Sequence, residues 1–192
     1  KTLRRFMSVK TVVESCFDWL INVYKHAGKA GDTHTSLLVQ ANLCELMPEV
    51  LRKHSASATV VSKCCMVMSM LCLNDKAADV LASCGACEAV IKSLDLFHNE
   101  GNVAQYGCKF IRNMASFPEH RDVLLSSPRV VDTLLRVFDR HHKSKKVLLE
   151  SCAALVNLSS GGVKLTSHSD VMQYFSVISK AIAIHIESGA LV

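Results

Sequence analysis

The chain has 192 residues, 49% of them hydrophobic, and a formal net charge of +5. That apolar content excludes a disordered chain, and no run approaches the roughly 18–20 apolar residues of a membrane span. Charge is even, with 11 basic and 9 acidic residues in 1–96 against 11 and 8 in 97–192, which argues against a dedicated nucleic-acid domain.

The first predicted element is a helix over 8–27, carrying Phe17, Leu20 and Val23. A Gly-containing loop from Gly28 to Thr35 follows. The next unit, 36–74, ends in a long helix whose Val60, Val61, Cys64, Cys65, Met68, Leu71 and Cys72 recur at i, i+4, i+8 and i+11. Such a stripe must be buried against neighbours. The unit 75–117 reads as a short helix around Asp79–Ser83, a breaker at Gly85 and a medium helix with Ala89, Val90, Leu94 and Phe97. A polar loop and a long helix over Val103–Ala115 complete it. The unit 118–161 repeats this order: Asp122–Ser126, Pro128, then Val131, Leu134, Leu135 and Phe138. A basic loop from Arg136 to Lys146 and a long helix with Leu148, Cys152, Leu155 and Leu158 follow. Gly161-Gly162 ends that helix, and 163–192 begins a partial repeat with an apolar face of Tyr174, Phe175, Ile178 and Ile182.

The long helices share a register. Asn22, Met70, Asn113 and Asn157 align at spacings of 48, 43 and 44 residues. Two places earlier stand Leu20, Met68, Ile111 and Leu155, and one place later Val23, Leu71, Met114 and Leu158. This period is that of armadillo or HEAT units. Ala154-Leu155-Val156-Asn157-Leu158-Ser159 and Phe110-Ile111-Arg112-Asn113-Met114-Ala115 resemble the end of the third helix of the armadillo-repeat family. Leu81-Ala82-Ser83-Cys84-Gly85-Ala86-Cys87-Glu88-Ala89-Val90 is similar to the family's turn from first to second helix, with its glycine. The resemblance implies an all-α, right-handed solenoid over 1–192, with about three full three-helix repeats (36–74, 75–117 and 118–161) and partial repeats at 8–27 and 163–192.

It also implies a concave groove in which Asn113, Asn157 and Asn22 hold the backbone of an extended partner, since a carboxamide both donates and accepts. Lys109 and Arg112 beside Asn113 would favour an acidic segment. The tryptophan that nuclear-import members of the family place one turn before the asparagine is missing, and Trp19 is out of register, which disfavours a nuclear-signal receptor. Arg140, His141, His142, Lys143, Lys145 and Lys146 form a basic loop suited to an acidic surface. The functional expectation is a non-enzymatic interaction scaffold or adaptor binding a protein. The alternative is a structural subunit of a large cytoskeletal or ciliary assembly, held through its ends and loops.

No cofactor or metal is expected. Cys84-Gly85-Ala86-Cys87 has no second CxxC or HxxxH to complete a zinc site, and no GxGxxG, GxxxxGK[ST], GxSxG or HExxH occurs. Nine cysteines, mostly on apolar faces, and no signal-peptide pattern point to reduced core thiols and a cytoplasmic setting.

Overall fold

The structure is a computed structural model that describes residues 2–26 and 31–160, together with position 179. Among these residues there are eleven helices and no strand. They are α1 (Thr2–Arg5), α2 (Lys10–His26), α3 (Gly31–Gln40), α4 (Leu43–Lys53), α5 (Ala58–Leu71), α6 (Asp75–Ser83), α7 (Ala86–Leu96), α8 (Gly101–Met114), α9 (Pro118–Leu125), α10 (Val130–Arg140) and α11 (Lys145–Ser159). No helix is long and apolar enough to cross a membrane among the described residues. The partial repeat predicted at 163–192 lies outside the described residues, as do Tyr174, Phe175, Ile178 and Ile182.

Helices pack against those three places away in the chain. The long helices α2, α5, α8 and α11 stack in one row, the medium helices α4, α7 and α10 in a second, and the short helices α3, α6 and α9 in a third. The chain reaches this arrangement because its apolar stripes recur every 43–48 residues, so each helix meets the same face of its predecessor. The predicted stripes form the core: Val60, Val61, Cys64, Cys65 and Met68 are inaccessible, as are Cys108, Ile111 and Met114. Fully burying each such side chain is worth about 1.5–3 kcal/mol.

Local chemistry sets the helix ends. Ser57 Oγ accepts from the Val60 N–H at 3.5 Å at the start of α5, and Asn74 Oδ1 accepts from the Ala77 N–H at 3.2 Å at the start of α6. Gly85 turns α6 into α7 at φ +83°, a left-handed conformation that glycine takes without strain. The same turn 43 residues earlier uses Asn42 at φ +56°, the residue type that best tolerates this conformation after glycine. Pro118 opens α9, where its missing N–H costs nothing. Pro48 is unusual in lying inside α4. Lacking an N–H, it deprives the Cys44 carbonyl of its helical donor. The Cys84 thiol, from the next unit, points at that oxygen from 3.6 Å.

Two expectations are corrected. The loop predicted from Gly28 to Thr35 is helical from Gly31, because α3 starts there; Thr35 is buried and its hydroxyl meets the Tyr24 hydroxyl at 2.7 Å. The basic stretch Arg136–Lys146 is mostly helix rather than loop. Arg136 and Arg140 belong to α10, Lys145 and Lys146 open α11, and only four residues connect the two. The charges on α10 are helical because one helical face of that segment carries Val130, Leu134 and Phe138 into the core.

Candidate interaction surface

The asparagine slot falls near the end of each long helix. α5 ends at Leu71 and α8 at Met114, so the carbonyls of Ser69 and Arg112 lie in the last turn, where helical donors run out. Asn113 Nδ2 donates to Ser69 O at 2.8 Å, and Asn157 Nδ2 donates to Arg112 O at 2.9 Å. Each asparagine therefore caps the long helix of the preceding unit, 44 or 45 residues back. The interruption at Met70 has the same logic. α2 runs on to His26, so the Ile21 carbonyl lies inside the helix, where the N–H four residues later is its ordinary partner. No cap is required there.

The other groove residues are placed unevenly. Asn113 is 7% exposed, and its Oδ1 accepts from Arg112 Nε and Nη2 at 3.2 and 3.1 Å. Both polar atoms of this carboxamide are thus engaged within the fold. Arg112 also pairs with Glu150 of α11 at 2.6 Å, and Lys63 of α5 pairs with Asp18 of α2 at 2.7 Å. Lys109 is half-buried and has no acidic partner among the described residues. Asn157 is half-buried and Asn22 exposed. The fold brings Lys109, Arg112, Asn113 and Asn157 onto adjoining helices; Asn22 stands two helices away on α2.

The basic cluster works chiefly as a seam. Arg140 Nε donates to Asn99 Oδ1 at 2.5 Å, and His141 Nε2 lies 2.9 Å from His98 O. Asp95 of α7 accepts from Thr133 Oγ1 at 2.8 Å and pairs with Arg129 and Arg136 at 3.2 and 3.1 Å. His142 Nδ1 lies 2.7 Å from Asp139 O, while Lys143, Lys145 and Lys146 have exposed side chains. The sequence offered no sign of Asp95, whose role depends on α10 arriving beside it.

Burial keeps the thiols protonated. Desolvation pushes Cys65, Cys72, Cys87 and Cys44 up to about 12 and raises Cys84. A nucleophile or metal ligand needs the thiolate, so the pair Cys84 and Cys87 is poorly set for either task. Among the described residues, one grouping has metal-ligand character: Asp79, Glu119 and His120, with ligand atoms within 4.8 Å of one another. Its core is a contact between helices α6 and α9, His120 Nε2 lying 3.0 Å from Asp79 Oδ1, with the histidine buried and both acids exposed.

One surface feature escaped sequence reasoning. A cleft of about 730 Å³ opens beside α2, lined by Leu3, Val12, Cys16, Trp19, Leu38 and Leu43 among others. Trp19 is 64% exposed at its edge. The available signal was the register itself, since Trp19 aligns with Val67, Phe110 and Ala154, all inaccessible.

No family model, curated protein or solved structure matches this chain.

Proposed function

We propose that the chain is a non-enzymatic protein-interaction scaffold, an armadillo-type right-handed α-solenoid that works as a subunit of a larger assembly, held through surfaces other than the groove of the long helices. The observation that carries this reading is the engagement of Asn113. A carboxamide that already caps the Ser69 carbonyl and accepts from Arg112 must give up buried bonds before it can grip a partner backbone. The surface of α2, by contrast, carries an apolar cleft and an exposed tryptophan. Exposed aromatic side chains beside an apolar cleft are frequent anchors of protein interfaces. The buried, uncrosslinked cysteines suit a reducing compartment such as the cytoplasm.

Lys109 favours a second reading, an adaptor that lays an extended acidic segment along α8 and α11. Of the three cations on α5 and α8, Lys63 and Arg112 have carboxylate partners, and Lys109 has none among the described residues. Affinity capture with two variants separates the readings. Ser15→Arg obstructs the cleft, and Lys109→Glu reverses the groove charge. Loss of partners with Ser15→Arg alone is expected; loss with Lys109→Glu alone overturns the assembly reading in favour of the groove.

A further inference from the structure

His120 stands where the repeat has no need of a polar side chain. It lies 43 residues after Ala77, which fills the equivalent slot of α6 and is inaccessible. The imidazole is 4% exposed and packs on the Phe117 ring, with centroids 5.2 Å apart. Its Nδ1 is buried with no hydrogen-bond partner among the described residues. A buried nitrogen left in that state is destabilising, so the residue calls for a reason beyond packing. The other nitrogen supplies one. Nε2 lies 3.0 Å from Asp79 Oδ1, and Glu119 brings a second carboxylate, so that ligand atoms of the three residues fall within 4.8 Å of one another.

We infer that Asp79, Glu119 and His120 form a binding site for a divalent transition-metal ion of the zinc class, which clamps α6 to α9. The donor set fits this class of ion. Bonds of about 2.0–2.2 Å place neighbouring ligands of a tetrahedral ion about 3.3–3.5 Å apart. The separation of His120 from Asp79 is close to that, and the exposed Asp79 and Glu119 side chains rotate to complete it. Two carboxylates balance the charge of the ion while the imidazole binds neutral. The imidazole also discriminates against Mg²⁺ and Ca²⁺, which take oxygen ligands. Only the Asp79 contact holds the ring proton on Nε2; moved to Nδ1, it leaves Nε2 bare for the metal. Burial and Phe117 fix the ring beforehand, while the exposed acids keep the approach open to solvent. Three protein ligands leave one tetrahedral position for water. The set is hidden along the chain, since Asp79 precedes Glu119 by 40 residues, and it exists only where α9 stacks on α6. It stands apart from the assembly reading, and either fails without the other.

Co²⁺ is the probe, because its visible bands report the ligands and Zn²⁺ has none. The full chain, kept reduced, is expected to bind Co²⁺ saturably with visible bands, without a sulfur-to-cobalt band in the near ultraviolet, and to lose it to Zn²⁺. Asp79→Asn and Glu119→Gln, both at exposed positions, are each expected to weaken binding about tenfold or more with circular dichroism unchanged. His120→Ala is expected to abolish the bands, and the fold already accepts alanine in this slot at Ala77. Zn²⁺ is expected to raise the thermal midpoint of the parent but not of the Asp79→Asn, Glu119→Gln double variant, because only the stacked helices bring the ligands together.

Undiminished affinity in the carboxylate variants overturns the inference. A sulfur-to-cobalt band assigns the ion to the cysteines and overturns it. Equal displacement by Mg²⁺ or Ca²⁺ reduces the site to exposed acids without the imidazole and likewise overturns it. So does the absence of visible bands at every cobalt concentration that keeps the protein in solution, or an equal rise in thermal midpoint for the parent and the double variant.

Discussion

Replacing Asn113 with Ala tests whether the asparagine slot is structural. The substitution removes the 2.8 Å bond to Ser69 O and leaves that carbonyl buried with only the Cys72 thiol, 3.6 Å away, as a weak donor. It also removes the acceptor of two Arg112 bonds, which the half-exposed guanidinium recovers from water and Glu150. The dominant cost is the orphaned carbonyl, about 1–3 kcal/mol, so a loss near 2 kcal/mol is expected. At about 2–4 °C per kcal/mol for a chain of this size, the thermal midpoint falls by about 4–8 °C. Asn157→Ala, at a half-buried site with one bond, costs about 1 kcal/mol. Asn22→Ala, exposed in the same register, stays within about 0.5 kcal/mol. Thermal circular dichroism and urea unfolding at unchanged m-value measure all three. Equal midpoints for Asn113→Ala and Asn22→Ala would refute the capping argument.

Other consequences are open to the same instruments. Gly107→Ala places a Cβ 2.7 Å from Leu94 Cδ2 and 2.9 Å from Cγ, so overpacking of about 1–3 kcal/mol outweighs a helix-propensity gain of about 1 kcal/mol; a raised urea midpoint would contradict this. Asp95→Ala strands Thr133, Arg129 and Arg136 together and is expected to destabilise the protein by about 1–2 kcal/mol, read by urea unfolding. Cys65, Cys72, Cys87 and Cys44, held near 12 in the fold, keep protons that the unfolded chain releases above about 8.5. Their stabilisation is complete below that value and is lost as pH rises towards 12, about 1.4 kcal/mol per pH unit for each thiol; a thermal midpoint flat between about pH 8.5 and 10.5 would exclude it. Pro48→Ala restores the N–H that bonds Cys44 O, so Cys84→Ala should cost less in that background than in the parent, and an additive double-mutant cycle would discount the thiol bond.

The long helices were legible because two neighbouring rows bury them, which forces a continuous apolar stripe into the sequence. The breaker at Gly85 was legible for a different reason, since a left-handed turn leaves few residue choices. Its counterpart Asn42 was not, because asparagine occupies many other environments. α3 begins at a glycine and carries polar residues along much of its length, so composition pointed to a loop. Charge misled similarly at Arg136 and Arg140, where the cations look solvated until Asp95 and Asn99 come within reach across the seam. The asparagine register was readable, but its direction was not. Whether a carboxamide faces outward or caps a neighbour depends on where the preceding helix ends, and only the packed structure fixes that.

Asp95 also bears on what the protein tolerates over evolutionary and engineering time. An array of similar modules invites deletion or duplication of one module, as a bead is taken from a string. Removing residues 75–117 would leave Asn157 facing Ser69 in place of Arg112, an even exchange on the long-helix row. On the medium-helix row the exchange is uneven, because the residue 43 places before Asp95 is Arg52. Arg129 and Arg136 would then meet a third cation, and like charges at such a contact repel. The beads carry addresses: the second-helix seam fixes the order in which they can be strung.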